Sequence, residues 1–299
     1  MDQMENPEAF LNELIDKGDG SRAVVPETNA DPVEFFNLHA QPFNDNVNPE
    51  FFYRTEAHEE AFLAMKRCID EHISLGLTTA ISGTGKTLLT QVLIQELDPR
   101  KFQPILILCH PGMTGNGLLR EIADELKLEM PKRRTTQDLI WAIQAHIISL
   151  YIKGLRLVLI IDEVHFLTAE PLHILRTLSN LEVPERKLVT VLLFGEQCFL
   201  EKMKRPDFKA VFSRMFTRVE LRPLRGQEIA QYVKFRLLVA GGRPALFADD
   251  VFAPLEGLSQ GIPRELNRIC HNALIWAARH GQESITAETL RQLVEAHRV

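Results

Sequence analysis

The sequence predicts an α/β protein: a doubly wound, parallel, five-stranded sheet followed by a small all-helical domain. Three observations lead there. Apolar segments of strand length alternate with segments of helical periodicity between residues 74 and 225, the pattern of a parallel sheet wound with helices on both faces. One of them, Leu155-Arg156-Leu157-Val158-Leu159-Ile160-Ile161, is apolar at all but one position, as a central strand buried on both faces requires. After Arg225 no strand candidate remains, and apolar residues recur only at helical spacing.

In chain order, residues 1–33 form an acidic, weakly ordered leader, punctuated by Gly18, Asp19, Gly20 and Pro26. Phe10, Leu11, Leu14 and Ile15 fall on one helical face there, suited to docking on a partner or on the body of the protein. Residues 34–73 comprise an aromatic connector (Phe35, Phe36, Leu38, Pro42, Phe43, Phe51, Phe52, Tyr53) and a helix over 56–72, expected to pack on the core through Ala61, Phe62, Met65, Cys68 and Ile69. The α/β core spans 74–225. Its predicted strands are 77–81, 104–109, 155–161, 188–194 and 217–221, with helices over 117–126, 136–151, 171–181 and 196–204. Residues 226–299 form a helical lid of four segments, 226–240, 248–259, 263–280 and 286–297. Asp249 and Thr286 are its candidate N-caps.

Hydrophobic residues make up 45% and charged residues 25% of the 299, a soluble globular balance. No apolar run approaches the roughly 18 residues that span a bilayer, and the acidic start lacks a signal-peptide core. A cytoplasmic protein without membrane insertion is expected. Cys68, Cys109, Cys198 and Cys270 are widely separated and read as buried thiols rather than a disulfide framework or a zinc site. The first 60 residues hold 14 acidic and 3 basic side chains, leaving 26 acidic and 31 basic for the remainder: an acidic leader before a mildly basic body.

The chemistry concentrates in Ala80-Ile81-Ser82-Gly83-Thr84-Gly85-Lys86-Thr87, between a predicted strand and the helix that Leu88 continues. This is a phosphate-binding P-loop. Gly83 and Gly85 let backbone N–H groups converge on phosphate oxygens, Lys86 adds charge, Thr87 offers a hydroxyl to Mg²⁺, and the helix N-terminus favours an anion. The third strand delivers Asp162 and Glu163 to its C-terminal end, where open α/β sheets bind ligands. Asp162 is placed to hold Mg²⁺ and Glu163 to orient the attacking water. Arginines suited to a γ-phosphate are Arg264, in Gly261-Ile262-Pro263-Arg264, acting in cis from the lid, and Arg214, reaching in trans into a neighbouring subunit; Arg218 enters the last strand nearby. Glu196 or Gln197, ending the fourth strand, is the candidate sensor of hydrolysis. His110, ending the second, is placed to hold Glu163 off the water. Asp162-Glu163-Val164-His165 also matches a helicase DExH box, but the chain is too short for the second core that helicases need.

Together these residues resemble an AAA+ ATPase, and more narrowly the ExeA/GspA-type secretion ATPases. Phe36-Asn37-Leu38 through Pro42-Phe43, Pro49-Glu50-Phe51-Phe52-Tyr53, His58, Ser82 to Thr87, Ile160 to Glu163, Leu178-Ser179-Asn180-Leu181-Glu182 and Gly261 to Arg264 resemble that family's blocks in order. Val164, His165 and Glu196 depart from its usual residues. Secretion members carry a transmembrane helix and a cell-wall-binding domain after the ATPase, whereas this sequence ends at Val299. The expectation is therefore the ATPase engine alone, similar also to the TniB and phage Mu B transposition ATPases, which bind DNA and a transposase. The resemblance implies ATP and Mg²⁺ as ligands and a ring or filament of identical subunits. Three functions stay open: a remodeller or assembly factor for a protein partner, with residues 1–33 a candidate docking arm; a DNA-bound regulator of a transposase or recombinase; or a nucleotide-binding scaffold with little turnover. Lys132, Arg133 and Arg134, and the 8 basic against 3 acidic residues of 200–225, are candidate contacts for duplex DNA or a partner. The second cluster equally suits a subunit interface.

Overall fold

The computed structural model describes residues 31–44, 48–129 and 135–296. The amphipathic turn at Phe10 to Ile15 and the basic triplet Lys132 to Arg134 lie outside them. The chain divides into two compact units: Glu56–Arg222, and the segment up to Thr55 together with the segment from Pro223 onward.

The first unit is built on β1 (Leu75–Ala80), β2 (Phe102–Leu108), β3 (Arg156–Asp162), β4 (Glu182–Val183), β5 (Arg186–Lys187), β6 (Val189–Glu196) and β7 (Thr217–Leu221). Five of these form one parallel sheet in the order β2-β3-β6-β1-β7. Every residue of β1 and β3 is buried, as strands flanked by neighbours and covered on both faces must be. The edge strands β2 and β7 are only partly buried, and β7 alternates. The Glu56–Asp70 helix packs on β1 and β7, Gly115–Glu125 and Thr136–Ile152 on each other and on β2 and β3, and Ala169–Ser179 on β6. Thr114 caps the Gly117 amide at 3.1 Å, and Thr135 and Asp138 form a reciprocal capping box, each cap contributing about 1 kcal/mol.

Three details of this unit differ from the sequence expectation. The short antiparallel hairpin β4–β5 turns at Pro184 and Glu185 where no strand was predicted, since two charged two-residue strands carry no periodic signal. The fourth long strand runs on to Glu196, and its following helix begins only at Cys198. Cys198 is also exposed, unlike the other three thiols.

In the second unit the helices Gln227–Val239, Phe252–Ser259, Pro263–Arg279 and Ala287–Glu295 enclose a core of Ile229, Leu237, Phe247, Leu266, Leu274 and Leu290. Thr286 caps the last helix, accepting from Thr289. Asp249 caps nothing; it opens a 3₁₀ turn and pairs with Lys234 at 3.1 Å. The aromatic connector belongs to this unit rather than to the sheet with the 56–70 helix. Phe43 packs edge-on against Phe247, and the Tyr53 hydroxyl bonds Gln231 at 2.8 Å. Arg236, 6% exposed, donates to Pro42 O at 2.6 Å and to Tyr232 Oη at 3.0 Å, with Phe51 against its guanidinium. The connector thus ends at Thr55, and the predicted 34–73 block divides there. No helix among the described residues is long and apolar enough to cross a membrane.

Candidate functional site

The strand order β3-β6-β1 sets three C-terminal ends side by side: Asp162, Glu196 and Ala80, the last two in register. The loop leaving β1 turns through Gly83 at φ 82° and Gly85 at φ 100°, a left-handed conformation that other residues adopt at a cost. Beneath it lies His58, 4% exposed, whose Nε2 donates to Thr84 O at 3.1 Å. A Cβ at position 85 would sit 3.1 Å from that same nitrogen. Thr84 Oγ1 closes the turn onto Ile81 O at 2.8 Å. These contacts fix the turn of the loop, and left-handed glycines at 83 and 85 are what a backbone-amide cradle for an anion uses. Lys86, 5% exposed, reaches back over the Ala80 and Ile81 carbonyls at 3.5 and 3.4 Å. Those long contacts leave its charge available to an incoming anion.

Thr87 Oγ1 donates to Asp162 Oδ2 at 3.1 Å, and the Glu163 amide donates to Asp162 Oδ1 at 2.8 Å. Glu163 itself takes φ 57°, in the left-handed region, which turns its side chain out of the strand line. Its Oε2 is buried and accepts no hydrogen bond. His165 Nδ1 stands 3.2 Å from that oxygen, but the same nitrogen accepts the Glu196 amide at 3.4 Å. That nitrogen can serve only one of the two, and while it accepts the Glu196 amide, Glu163 Oε2 is left without a donor. Lys202 Nζ holds the His165 carbonyl at 3.0 Å. Donor atoms of Glu163, His165 and Glu196 all lie within 4.8 Å of one another.

Burial raises the pKa of Asp162, with the hydrogen bonds from Glu163 and Thr87 pulling the other way. Burial and then the Asp162 charge raise that of Glu163. Cys109, behind the pair, is pushed up to about 12, chiefly by burial and then by the two carboxylates, so it is an inert thiol at neutral pH.

The structure thus joins Lys86, Thr87, Asp162 and Glu163 on one edge. His110 does not join them: it is exposed, and its Nδ1 donates to Pro111 O at 3.0 Å. The imidazole beside Glu163 is that of His165, to which the sequence assigned no role in the site. Gln197 turns away to Glu220 on β7, leaving Glu196 as the strand-end group nearest Glu163. Arg214 is exposed, next to Phe216, which is 81% exposed. Arg218 is committed to its own turn, 3.9 Å from the Phe212 ring and bonded to the Met215 and Phe212 carbonyls. Arg264 stands exposed in the first turn of the Pro263–Arg279 helix, in the other unit. His58 was quoted in the sequence only as a motif residue. Its place under the loop follows from packing of the 56–70 helix, which no local pattern reveals.

The donors present fit Mg²⁺ and a triphosphate. A hydroxyl and a carboxylate, already hydrogen-bonded, form a hard oxygen pair of the kind Mg²⁺ takes alongside phosphate oxygens. The orphaned Glu163 Oε2 lacks only a donor such as water.

Residues 69–203 match a family model described as an AAA domain. The chain is 35% identical over 252 residues to general secretion pathway protein A of Aeromonas hydrophila, covering 84% of this chain and 46% of that protein. It therefore spans about half the length of the curated relative it matches. Among solved structures, the Aeropyrum pernix ORC2 protein in ADPNP–ADP complexes superposes with a TM-score of 0.64 at 16% identity, over 86% of this chain and 71% of that one. The A. pernix ORC1 protein in complex with DNA gives a TM-score of 0.62 at 17% identity, over 86% and 68%. At such identities these two carry the fold alone.

Proposed function

The chain belongs to the AAA+ family, as an ExeA/GspA-type member, and from that premise we propose that it hydrolyses ATP with Mg²⁺ at a subunit interface, as an oligomeric switch that assembles or remodels a partner complex. The observation that carries this reading is the Thr87–Asp162 hydrogen bond with the unsatisfied Glu163 oxygen beside it. The amides of residues 83–87 bind the phosphates, and Lys86 transfers from loop carbonyls to the anion. Thr87 and Asp162 would hold Mg²⁺, which when bound neutralises phosphate charge. Glu163 accepts a hydrogen bond from the attacking water and orients it, its raised pKa making it a better proton acceptor than an exposed carboxylate. Arg264 in cis and Arg214 of a neighbouring subunit stabilise the charge of the transferred phosphoryl group. The exposed Phe216 beside Arg214 favours a subunit contact there.

Lys86→Ala should abolish nucleotide binding or turnover; normal ATPase activity in that variant contradicts the assignment. Glu163→Gln should bind ATP, hydrolyse it poorly and stay assembled, as followed by light scattering. Faster disassembly than wild type would remove Glu163 from its role.

A second reading, a DNA-bound regulator of a transposase or recombinase, rests on the resemblance to the TniB and phage Mu B ATPases. The 200–225 cluster lends it little. Lys204 pairs with Glu201, Arg205 with Asp207, and Lys202 and Arg218 bind backbone carbonyls. ATP-dependent, salt-sensitive binding of duplex DNA would select this reading. Assembly with ATP alone would select the first.

A further inference from the structure

The opposite edge of the sheet carries a second concentration of charge. Where β2 and β3 begin, a cavity of about 200 Å³ is lined by Lys101, Arg156, Arg186, Lys187 and His72, with Asp70 as its carboxylate. Arg156 is 8% exposed. Its terminal nitrogens bond His72 Nδ1 and Ile69 O, its Nε is buried without a partner, and Phe102 lies 5.1 Å from its guanidinium. Arg186 lies 5.2 Å from the Tyr151 ring. Lys187 is paired with Glu182, but among the described residues no carboxylate forms an ion pair within 4 Å of Arg156, Arg186 or Lys101.

A buried guanidinium with an unpaired N–H is costly, and an acceptor placed there recovers that cost. Both arginines are held by aromatic faces, so little side-chain freedom is lost when they close on a ligand. The volume lies below the roughly 300–1,000 Å³ of drug-sized sites, which favours a compact anion over a base and sugar. We propose that this pocket binds a small, multiply charged phosphate anion, either free pyrophosphate or the diphosphate end of a nucleotide. It is separate from the P-loop: Arg156 and Asp162 close opposite ends of β3, about 20 Å apart at strand rise.

The full chain carrying Lys86→Ala isolates this site from the P-loop. Calorimetric titration of that protein with pyrophosphate at physiological ionic strength should show one-to-one binding. Adding Arg186→Ala should weaken it roughly tenfold or more, and Lys101→Ala should weaken it again. Both side chains are exposed, and circular dichroism should confirm that the variants fold. Equal affinity for ADP identifies a nucleotide tail as the ligand; preference for pyrophosphate identifies the free anion. A Lys86→Ala protein that binds neither anion overturns the proposal. So does affinity that Arg186→Ala and Lys101→Ala leave within twofold.

Discussion

Replacing Gly261 with alanine should damage the helical unit far more than its modest chemistry suggests. Gly261 holds φ at 69°, and a Cβ built there would lie 1.9 Å from the Leu224 carbonyl oxygen and 3.2 Å from its amide nitrogen. Leu224 cannot simply rotate away, because the atoms met are backbone and its own N–H bonds Gly261 O at 2.9 Å. The left-handed conformation costs a non-glycine residue about 1–2 kcal/mol, and forced backbone displacement adds roughly 1–3 kcal/mol. A total of about 2–5 kcal/mol is a large share of the roughly 5–15 kcal/mol of a typical domain. It should lower the unfolding midpoint by roughly 10 °C or more. Gly281→Ala is the control: φ is 63° there, but no atom stands within 4 Å of the added carbon, so only the conformational cost applies. Thermal unfolding followed by circular dichroism compares the two. If both variants melt within about 2 °C of each other, the close approach of Leu224 has been misjudged and the reasoning fails. The same variant bears on Arg264, three residues on, since the displaced backbone leads directly into its helix.

Other consequences can be measured alongside. His58→Ala removes the donor that fixes the Thr84 carbonyl and should weaken binding of a fluorescent ATP analogue about tenfold, with a fold intact by circular dichroism; unchanged affinity would show that the loop needs no such support. Arg236→Ala strips the connector of the bonds at its Pro42 and Asn44 carbonyls, costing about 2–4 kcal/mol. Limited proteolysis should then cut within residues 31–55, and resistance equal to wild type would refute the anchoring role. His72, His146 and His271 all have pKa values lowered by burial, so the unfolded chain binds protons that the folded chain does not. Stability should be full above the ordinary histidine range and fall as pH drops through about 6.5. A urea midpoint identical at pH 8 and pH 6 would contradict that sign.

Much of the α/β unit was legible because its information is local. Six apolar residues around one arginine can only be a strand covered on both faces, and a glycine-rich turn before a helix can only be an anion cradle if a carboxylate strand accompanies it. Lys86, Thr87, Asp162 and Glu163, which the fold brings to one sheet edge, were singled out in that way. His58 and His165 were not read as parts of the site because their roles depend on contacts across 26 and 31 residues of chain. The connector was recognised as too apolar to be free, yet the sequence could not say what it covers. The answer lay in Arg236, one of two cations in a mixed helix, whose partners include carbonyls more than 190 residues away. The hairpin at Pro184 escaped for the opposite reason: its strands are too short to have a period.

The pairing of Phe43 and Tyr53 with helices beyond Pro223 has a bearing on biosynthesis. The aromatic segment leaves the ribosome before the sheet residues 56–222, and the helices that cover it follow only after them. The whole sheet can form in the interval, so the rings spend that time in contact with water or with whatever shields nascent apolar chain. Closure of the helical unit is then a long-range event that waits for the sheet, and slowing translation of the stretch after Pro223 should lengthen the period in which this segment is open to protease or chaperone.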